Sequence, residues 1–410
     1  MKAEAEAKRS RESLFEKAQQ VFSKALVDMM RDRGQGFLES GREGSYLYDE
    51  AGRRILDCYA SAGTFNLGRR NPDVARALKH AVFQTDQGNF VMPSEEKAML
   101  ARRISLFMPA DLDCVLFGVT RGESMEAAVK LCRGFTGRSG IVTVDGGCYG
   151  ESGFALSLSH RPGKEQFGSL IPDVTVVPFG DLDAARAALS RKTACFVMEP
   201  VQAENNCRSA PRDYYADIRS LCDEHGAKLI FDETQSGFGR TGKKFFFEHL
   251  DVVPDILLVG EAITAGMFPM TAMVFTSELK RFFDIHPLIH LCTFGGHDLG
   301  CHAAMAALDE YDRLAPWERA ASLGAELMKR LHDLGGKHGG AFTVEGRGLL
   351  VSLKFTSPDR AQSLCRTCAE KGLLIRQGQV DPCCVLIRPS LLIDRSEIAV
   401  IIDIIDESLR

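Results

Sequence analysis

The sequence lacks any long hydrophobic run and any excess of positive charge. None of its apolar stretches reaches the roughly 18 residues that a membrane-spanning helix needs, and the first twenty residues lack the apolar core of a secretory signal. Its 410 residues include 50 Lys and Arg against 55 Asp and Glu, a formal net charge of -5. We therefore expect no nucleic-acid partner, no membrane partner and a cytoplasmic location.

The cysteines do not form the even set typical of a disulfide framework. There are 13 of them, spread along the chain, which is typical of reduced thiols in a reducing compartment. Cys365 and Cys368 have the CxxC spacing of a zinc or redox site, and Cys383 and Cys384 follow later. Because "AQSLCRTCAEKG" has a helical pattern, we favour packing over zinc binding and predict no metal site.

The pattern of apolar residues predicts an α/β protein with two domains. The first forty residues have helical spacing, and "GREGSYLYDEAGRRILDCYA" predicts a hairpin. From about residue 96 to 300, runs such as "CVLFGV", "GIVTVDG", "ACFVMEP", "KLIFDET" and "DILLVG" alternate with helical stretches, as in a parallel sheet with crossover helices. We predict an N-terminal helix and hairpin joining the small domain (1–60), a large domain (61–300) and a smaller C-terminal α+β domain (301–410).

Acidic residues follow three of the predicted strands. Glu199 comes after "ACFVM", Asp232 and Glu233 come after "KLIF", and Glu261 comes after "DILLVG". Acids at the ends of parallel strands tend to face the ligand crevice of such a sheet. Each of them could instead cap the next helix or lie in a solvated loop.

Two Gly-containing turns are candidate anion sites. Thr120, Arg121 and Gly122 lie between a predicted strand and a predicted helix, whose free N–H groups and positive dipole end favour phosphate. "CTFGGHDLG" supplies Thr293 and further backbone donors. Either signal alone is weak, because any strand-to-helix loop looks similar.

The stretch "DETQSGFGRTGKKFFFEH", followed by "PDI" and a strand-end residue between Gly and Ala, resembles the class III aminotransferase family. That family includes acetylornithine, ornithine and 4-aminobutyrate aminotransferases, and the resemblance runs from "GSYLYDEAGRRILD" to "LIRPSLLID". It implies the fold type I architecture of pyridoxal-phosphate transferases, with a mainly parallel central sheet in the large domain. It also implies an enzyme that acts on an amine-bearing small molecule.

The resemblance assigns roles around the pyridoxal 5'-phosphate ring. Asp232 matches the acid that pairs with the pyridinium nitrogen, and Tyr149 of "GGCYGES" matches the aromatic residue that stacks on the ring. Glu199 and Gln202 of "EPVQAEN" match residues that line the ring, with Gln202 near its hydroxyl.

Further roles follow from the same resemblance. Thr120, Arg121 and Gly122 match the phosphate loop, and Thr293 matches the threonine that reaches the neighbouring subunit's phosphate, which implies a homodimer. Arg388 of "LIRPSLL" matches the arginine that grips a substrate carboxylate. A surface ion pair in the small domain is the alternative role for Arg388.

Two positions depart from the family pattern. The usual Ser-Gly-Thr of the phosphate loop is replaced by Thr120-Arg121-Gly122, and the lysine of Gly-Lys-Ala is replaced by Glu261 between Gly260 and Ala262. A carboxylate cannot form an imine with an aldehyde, so no covalent cofactor link is possible at Glu261. Lys243 and Lys244 match other positions of the motif and are not obvious substitutes.

Three interpretations of Glu261 remain open at this level. The lysine of a natural aminotransferase could have been replaced by design. A natural enzyme could hold pyridoxal or pyridoxamine phosphate non-covalently, with Glu261 as acid or base. Alternatively, an inert binding or scaffold relative could pair Arg121 with Glu261 across the site, since buried charges of opposite sign need each other.

Overall fold

The N-terminal segment forms two helices and a small antiparallel sheet. The computed structural model describes residues 2–31, 36–88, 92–168 and 170–410. Helices Lys2–Val21 and Lys24–Met30 precede strands β1 (Glu39–Glu43), β2 (Tyr46–Asp49) and β3 (Arg54–Asp57). The antiparallel pairing of β2 with β3 confirms the predicted hairpin. A single helix over forty residues was wrong, because Ser23 caps a second helix and β1 begins at Glu39.

A seven-stranded sheet forms the centre of the large domain. Its strands are β4 (Cys114–Gly118), β5 (Gly140–Val144), β6 (Val174–Val177), β7 (Thr193–Met198), β8 (Lys228–Asp232), β9 (Ile256–Val259) and β10 (Thr271–Phe275). The order is β4-β10-β9-β8-β7-β5-β6. Strands β9, β8, β7, β5 and β6 are parallel, and β10 is antiparallel to both of its neighbours. The predicted, mainly parallel α/β sheet is confirmed, although sequence patterns missed β10.

Helices cover both faces of this sheet, and short turns connect them to it. The α-helices of this part are Ala60–Gly63, Pro72–Ala81, Glu95–Phe107, Arg121–Thr136, Gly153–Leu158, Leu182–Ala188, Arg212–His225, Ser277–Ile285 and Asp298–Leu314. The last of them shares a hydrophobic core with the central strands through Cys301, Leu308 and Tyr311. This helix, which begins close to the predicted domain border at residue 300, therefore packs with the large sheet.

The C-terminal part builds a second core. It contains helices Pro316–Lys337, Pro358–Glu370 and Arg395–Ser408, and strands β11 (Thr343–Arg347), β12 (Leu350–Lys354), β13 (Leu373–Leu374), β14 (Arg376–Gln377) and β15 (Cys384–Ile387). Strands β11, β12, β15 and β14 form an antiparallel sheet, while β13 pairs in parallel with β3. The N-terminal arm is therefore hydrogen bonded to the C-terminal part of the chain.

Two further observations concern possible metal ligands and the length of the helices. Cys365 and Cys368 are buried in the core of the C-terminal part, on the helix that the pattern of "AQSLCRTCAEKG" predicted. Within the described residues, no group of three or more His, Cys, Asp or Glu side chains is arranged to hold a metal ion. No described helix is both long and apolar enough to cross a membrane.

Candidate functional site

Three acidic residues meet at one edge of the large sheet. Glu199 directly follows β7, Asp232 ends β8, and Glu261 begins a short helical turn just after β9. These strands are parallel neighbours, so their carboxyl ends lie side by side, where α/β proteins place ligands. We call Glu199, Asp232 and Glu261, together with Arg121, the strand-end cluster.

Glu233 is not part of this cluster. Its carboxylate accepts hydrogen bonds from the backbone N–H groups of Phe246, at 2.5 Å, and Phe247, at 2.9 Å. Burial raises the pKa of Glu233 to about 7, while these bonds oppose the shift. These contacts match the alternative role named for the strand-end acids, in which the carboxylate caps the backbone of a following segment.

Arg121 joins two of the clustered acids. Its Nε donates to Asp232 Oδ2 at 2.8 Å, and its Nη2 donates to Glu199 Oε1 at 2.7 Å. Both carboxylates are almost completely buried, and the arginine side chain is 15% exposed. Burial alone would lower the pKa of Arg121, but Asp232 and Glu199 raise it well above its ordinary value. Arg121 is therefore a fixed cation between the two acids.

The two acids have further partners on their other oxygens. Asp232 Oδ1 accepts from the backbone N–H of Thr234, at 3.0 Å, and from its hydroxyl, at 2.8 Å. Glu199 Oε2 accepts from the N–H of Cys148 at 2.9 Å. All four carboxylate oxygens are thus hydrogen bonded.

Glu199 nevertheless retains a proton more readily than an ordinary glutamate. Burial raises its pKa to about 7; Arg121 opposes this shift and Asp232 adds to it. One guanidinium shared by two buried carboxylates cannot fully neutralise both, so the less well compensated acid takes up a proton.

Glu261 lies beside the bridge and is not part of it. The alternative in which Arg121 pairs with Glu261 was wrong, because the guanidinium bonds Asp232 and Glu199 instead. Burial raises the pKa of Glu261, while its own backbone N–H and Arg121 oppose the shift and Asp232 adds to it. Among the described residues its carboxylate has no side-chain hydrogen-bond partner, and it is only partly buried. It is the acid of the cluster that remains available to a ligand.

Tyr149 lies in the core beneath the cluster. Its ring is fully buried among apolar residues of helix Arg121–Thr136 and strands of the central sheet, and its hydroxyl accepts from Thr143 Oγ1 at 3.2 Å. The neighbouring Cys148, partly exposed, bonds Glu199 through its backbone. Cys148, which sequence reasoning missed, is therefore the residue of this loop that is hydrogen bonded to the strand-end cluster. Burial raises the pKa of the Cys148 thiol to about 11, so it is a neutral group there.

Gln202 is fully buried and both ends of its amide are bonded. Its Nε2 donates to the carbonyl of Asp145 at 2.5 Å, and its Oε1 accepts from Asn205 at 2.8 Å. In the structure this residue holds the loops after β5 and β7 together.

Thr120 and Gly122 form the start of a helix. Thr120 is the N-cap of helix Arg121–Thr136, and its Oγ1 accepts from the N–H of Glu123 at 3.4 Å. A Cβ atom at Gly122 would lie 2.8 Å from the Ser152 hydroxyl, so a larger residue here would displace that side chain from the start of the helix. Arg121 thus stands at the first position of a well-defined helix.

Arg388 is fully buried and held by the large domain. Its Nη1 donates to Glu204 Oε1 at 2.8 Å and also to the side chain of Gln235. Its Nε and Nη2 atoms have no hydrogen-bond partner within the described part of the chain. The alternative role of a surface ion pair was wrong, because Arg388 has no exposed surface and its ion-pair partner, Glu204, is also buried. Glu204, two residues after Gln202 in the same buried loop, was missed by sequence reasoning.

Thr293 lies apart from these residues. It is exposed, in the turn at residues 292–295, and no hydrogen bond of its side chain occurs within the described chain. Within one subunit the structure therefore does not bring Thr293 into the strand-end cluster.

Solved structures identify the class of fold. The chain superposes on ornithine aminotransferase from Toxoplasma gondii with a TM-score of 0.86 at 24% identity, covering 91% of this chain and 90% of that one. Acetylornithine aminotransferase from Elizabethkingia anophelis gives 0.81 at 25% identity, over 94% and 98%. The architecture is therefore that of the fold type I pyridoxal-phosphate transferases.

The sequence identifies the family. The model of aminotransferase class-III matches residues 32–409, so this chain belongs to that family. An uncharacterized aminotransferase of Archaeoglobus fulgidus is 34% identical over 89% of this chain and 86% of its own length. Acetylornithine aminotransferase of Methanopyrus kandleri is 35% identical (78% and 81%), and putrescine aminotransferase of Pectobacterium atrosepticum is 32% identical (86% and 78%).

The side chains present do not fit pyridoxal phosphate in the pose that the resemblance implies. In that pose the protonated ring nitrogen donates to Asp232, but Oδ1 of this carboxylate already accepts two bonds from Thr234 and Oδ2 accepts from the guanidinium of Arg121, whose positive charge would lie beside that of the ring. It also needs an amine where Glu261 stands. The two nearest lysines of the motif bond elsewhere: Lys243 donates to the carbonyl of Glu248, and Lys244 packs over the ring of Phe107.

Proposed function

We propose that this chain is a lysine-less class III aminotransferase that binds an amine-bearing small molecule and does not transaminate it through a covalent cofactor link. The observation that carries the proposal is the carboxylate of Glu261 at the end of β9, at the position that we match to the lysine of the family motif. A carboxylate cannot condense with an aldehyde. What it can do is hold a cationic ammonium group.

The charge of the strand-end cluster supports an amine as ligand. Three carboxylates surround a single guanidinium, and Arg121 satisfies only Asp232 and Glu199. Glu261 adds negative charge next to this bridge and is partly accessible. An ammonium group would neutralise that charge and supply the hydrogen-bond donors that Glu261 lacks.

Arg388 supports a ligand that also carries a carboxylate. Two of its donor atoms, Nε and Nη2, lie on one edge of the guanidinium and have no partner in the described structure. Such an edge matches the two oxygens of a carboxylate. The proposed ligand class is therefore an amino acid or a related amino carboxylate, bound between Glu261 and Arg388.

Titration calorimetry with three compounds tests this proposal. The relatives' names suggest ornithine, N-acetylornithine and putrescine as probes. Ornithine or N-acetylornithine should bind at least about tenfold more tightly than putrescine, since putrescine has no carboxylate for Arg388. Glu261→Gln should weaken the binding of every compound. If none of the three binds, or if Glu261→Gln changes nothing, the proposal is wrong.

A second candidate is an enzyme that holds pyridoxal or pyridoxamine phosphate non-covalently. It is favoured by the raised pKa of Glu261, which burial causes, because an acid that holds its proton more readily than an ordinary glutamate is better suited to donate one as well as to accept one. In this candidate Arg121 would have to leave Asp232 before the cofactor could bind. Incubation with pyridoxamine phosphate and a keto acid distinguishes the two: formation of the amino acid supports the enzyme, and no formation supports the binding protein.

We also propose a homodimer in which the turn bearing Thr293 faces the partner subunit. Exposed apolar residues surround this turn in sequence, namely Leu288, Ile289, Leu291 and Phe294. Large exposed apolar groups in one segment are typical of surfaces that another chain covers. Sedimentation at micromolar concentration should give the mass of two chains, and a stable monomer would contradict the proposal.

A further inference from the structure

Arg121 occupies an unfavourable position for a cation. It is the first residue of helix Arg121–Thr136, after the N-cap Thr120. The N-terminus of a helix has the positive end of the dipole and favours anions, so the helix itself gains nothing from an arginine there. The side chain must be stabilised by what it contacts across the sheet edge.

Those contacts are the two acids that the family resemblance places around the cofactor ring. Arg121 donates through Nε to Asp232 and through Nη2 to Glu199, at 2.8 and 2.7 Å. The guanidinium is a planar, delocalised cation, as is a protonated pyridine ring. It bridges the ends of β7 and β8 and provides the positive charge that both carboxylates need.

We infer that Arg121 is a built-in substitute for the cationic ring of the cofactor, and that this one side chain excludes pyridoxal phosphate from the site. The inference concerns the cofactor alone. It holds or fails whether or not the chain binds an amine at Glu261.

Displacing the arginine is costly. A bound ring would have to break two charge-assisted hydrogen bonds, each typically worth about tenfold to a hundredfold in an equilibrium constant. It would also leave the displaced guanidinium without these partners at the end of a helix that does not favour it. Removing the side chain should therefore open the acceptor on Asp232.

Deoxypyridoxine phosphate is the probe of choice, because it has the ring and the phosphate but no aldehyde to react with surface lysines. By titration calorimetry, the wild-type chain should bind it no better than in the millimolar range. Arg121→Gly and Arg121→Ala should bind it at least about tenfold more tightly. Equal affinity of the wild type and both variants would overturn the inference. So would weaker binding by the variants, since Arg121 would then be a ligand of the phosphate.

Arg219→Ala is the matched control. Arg219 also spans two carboxylates, donating to Asp255 and Asp223 at 2.7 Å each, and its side chain is 19% exposed. It belongs to helix Arg212–His225 and contacts no member of the strand-end cluster. Its replacement should lower stability without any gain in probe binding. If Arg219→Ala and Arg121→Ala both bound the probe more tightly than the wild type, a specific role for Arg121 would be contradicted.

A covalent test covers the case in which Arg121→Ala folds poorly. With added pyridoxal phosphate and borohydride, Glu261→Lys alone should give little pyridoxylated lysine at position 261. Glu261→Lys combined with Arg121→Lys should give at least about tenfold more, because lysine cannot bridge both carboxylates as arginine does. Mass spectrometry of the peptide measures the yield. Equal yields from the single and double variants would show that Arg121 does not exclude the cofactor.

Discussion

Two arginines of this region, Arg121 and Arg388, differ in which donor atoms of the guanidinium group they leave free. Arg121 uses Nε and Nη2 on two carboxylates of the large domain, and so its bidentate edge is closed. Arg388 uses only Nη1, on Glu204 and Gln235, and keeps Nε and Nη2 without partners in the described structure. A guanidinium whose edge is bonded to carboxylates of the protein stabilises the fold, whereas a guanidinium with a free edge can still bind a ligand.

The two arginines also differ in the acids that depend on them. The pKa of Glu204 is lowered: burial would raise it, but Arg388 outweighs burial and keeps the carboxylate ionised. Burial raises the pKa of Glu199 to about 7, so this acid can take up a proton when its cation is lost. The loss of Arg388 should therefore be the more damaging of the two.

Arg388→Ala should have the largest effect on stability. It leaves Glu204 buried and unpaired, which typically costs about 3–5 kcal/mol. Urea unfolding at neutral pH measures the loss. Combining it with Glu204→Gln should recover part of the stability, because the uncompensated charge is then absent. A loss below about 1 kcal/mol for Arg388→Ala would mean that Glu204 is compensated by another group.

Glu199→Gln should change how stability depends on pH. Since folding raises the pKa of Glu199 from 4.5 to about 7, the folded state holds the proton more tightly, and wild-type stability falls as pH rises through this window. The contribution is on the order of 3–4 kcal/mol, since the shift is about 2.5 pKa units and each unit corresponds to about 1.4 kcal/mol. The variant should lack this part of the decline, as measured by unfolding at a series of pH values.

Glu204→Gln is the control for that experiment, because its sign is opposite. The lowered pKa of Glu204 gives stability that is present above its ordinary pKa of 4.5 and lost as the pH falls. Its replacement should alter only the acidic side of the stability profile. If Glu199→Gln left the slope between about pH 4.5 and 7 unchanged, Glu199 would not be the acid that titrates there.

Most of the fold could be predicted from sequence, because apolar runs alternating with helical stretches leave few arrangements other than a parallel sheet. Strand β10 was missed because "TAMVF" is short and lies antiparallel between two strands that are far apart in sequence. The motif likewise predicted that Glu199, Asp232 and Glu261 share a sheet edge. It could not predict that Arg121 reaches across it, since the direction of a long side chain depends on partners distant in sequence.

The same limit explains Tyr149 and Cys148. Matching a motif predicts which loop approaches the cluster, but it does not predict which side chain of that loop faces the acids. Neighbouring residues of a loop can point in opposite directions. Here one of two adjacent residues has a buried ring and the other a partly exposed thiol. Here the ring of Tyr149 bonds Thr143 within the core, while Cys148 contacts Glu199 through its backbone N–H. Glu204 was missed for another reason: nothing local marks an acid whose partner, Arg388, lies 184 residues away.

Glu261→Gln should have the smallest effect on stability and a clear effect on ligand binding. Glu261 has no side-chain partner within the described residues, and burial disfavours its charge, so an amide of the same size should change the free energy of unfolding by less than about 1 kcal/mol, or increase it slightly. Amine binding should nevertheless weaken, because the amide carries no charge to attract an ammonium group. Thermal unfolding without ligand, together with calorimetry of the amine, separates the two effects. A strongly destabilised variant would show that Glu261 stabilises the fold as Arg121 does. The contrast between the bonded Arg121 bridge and a Glu261 side chain free for a ligand would then be wrong.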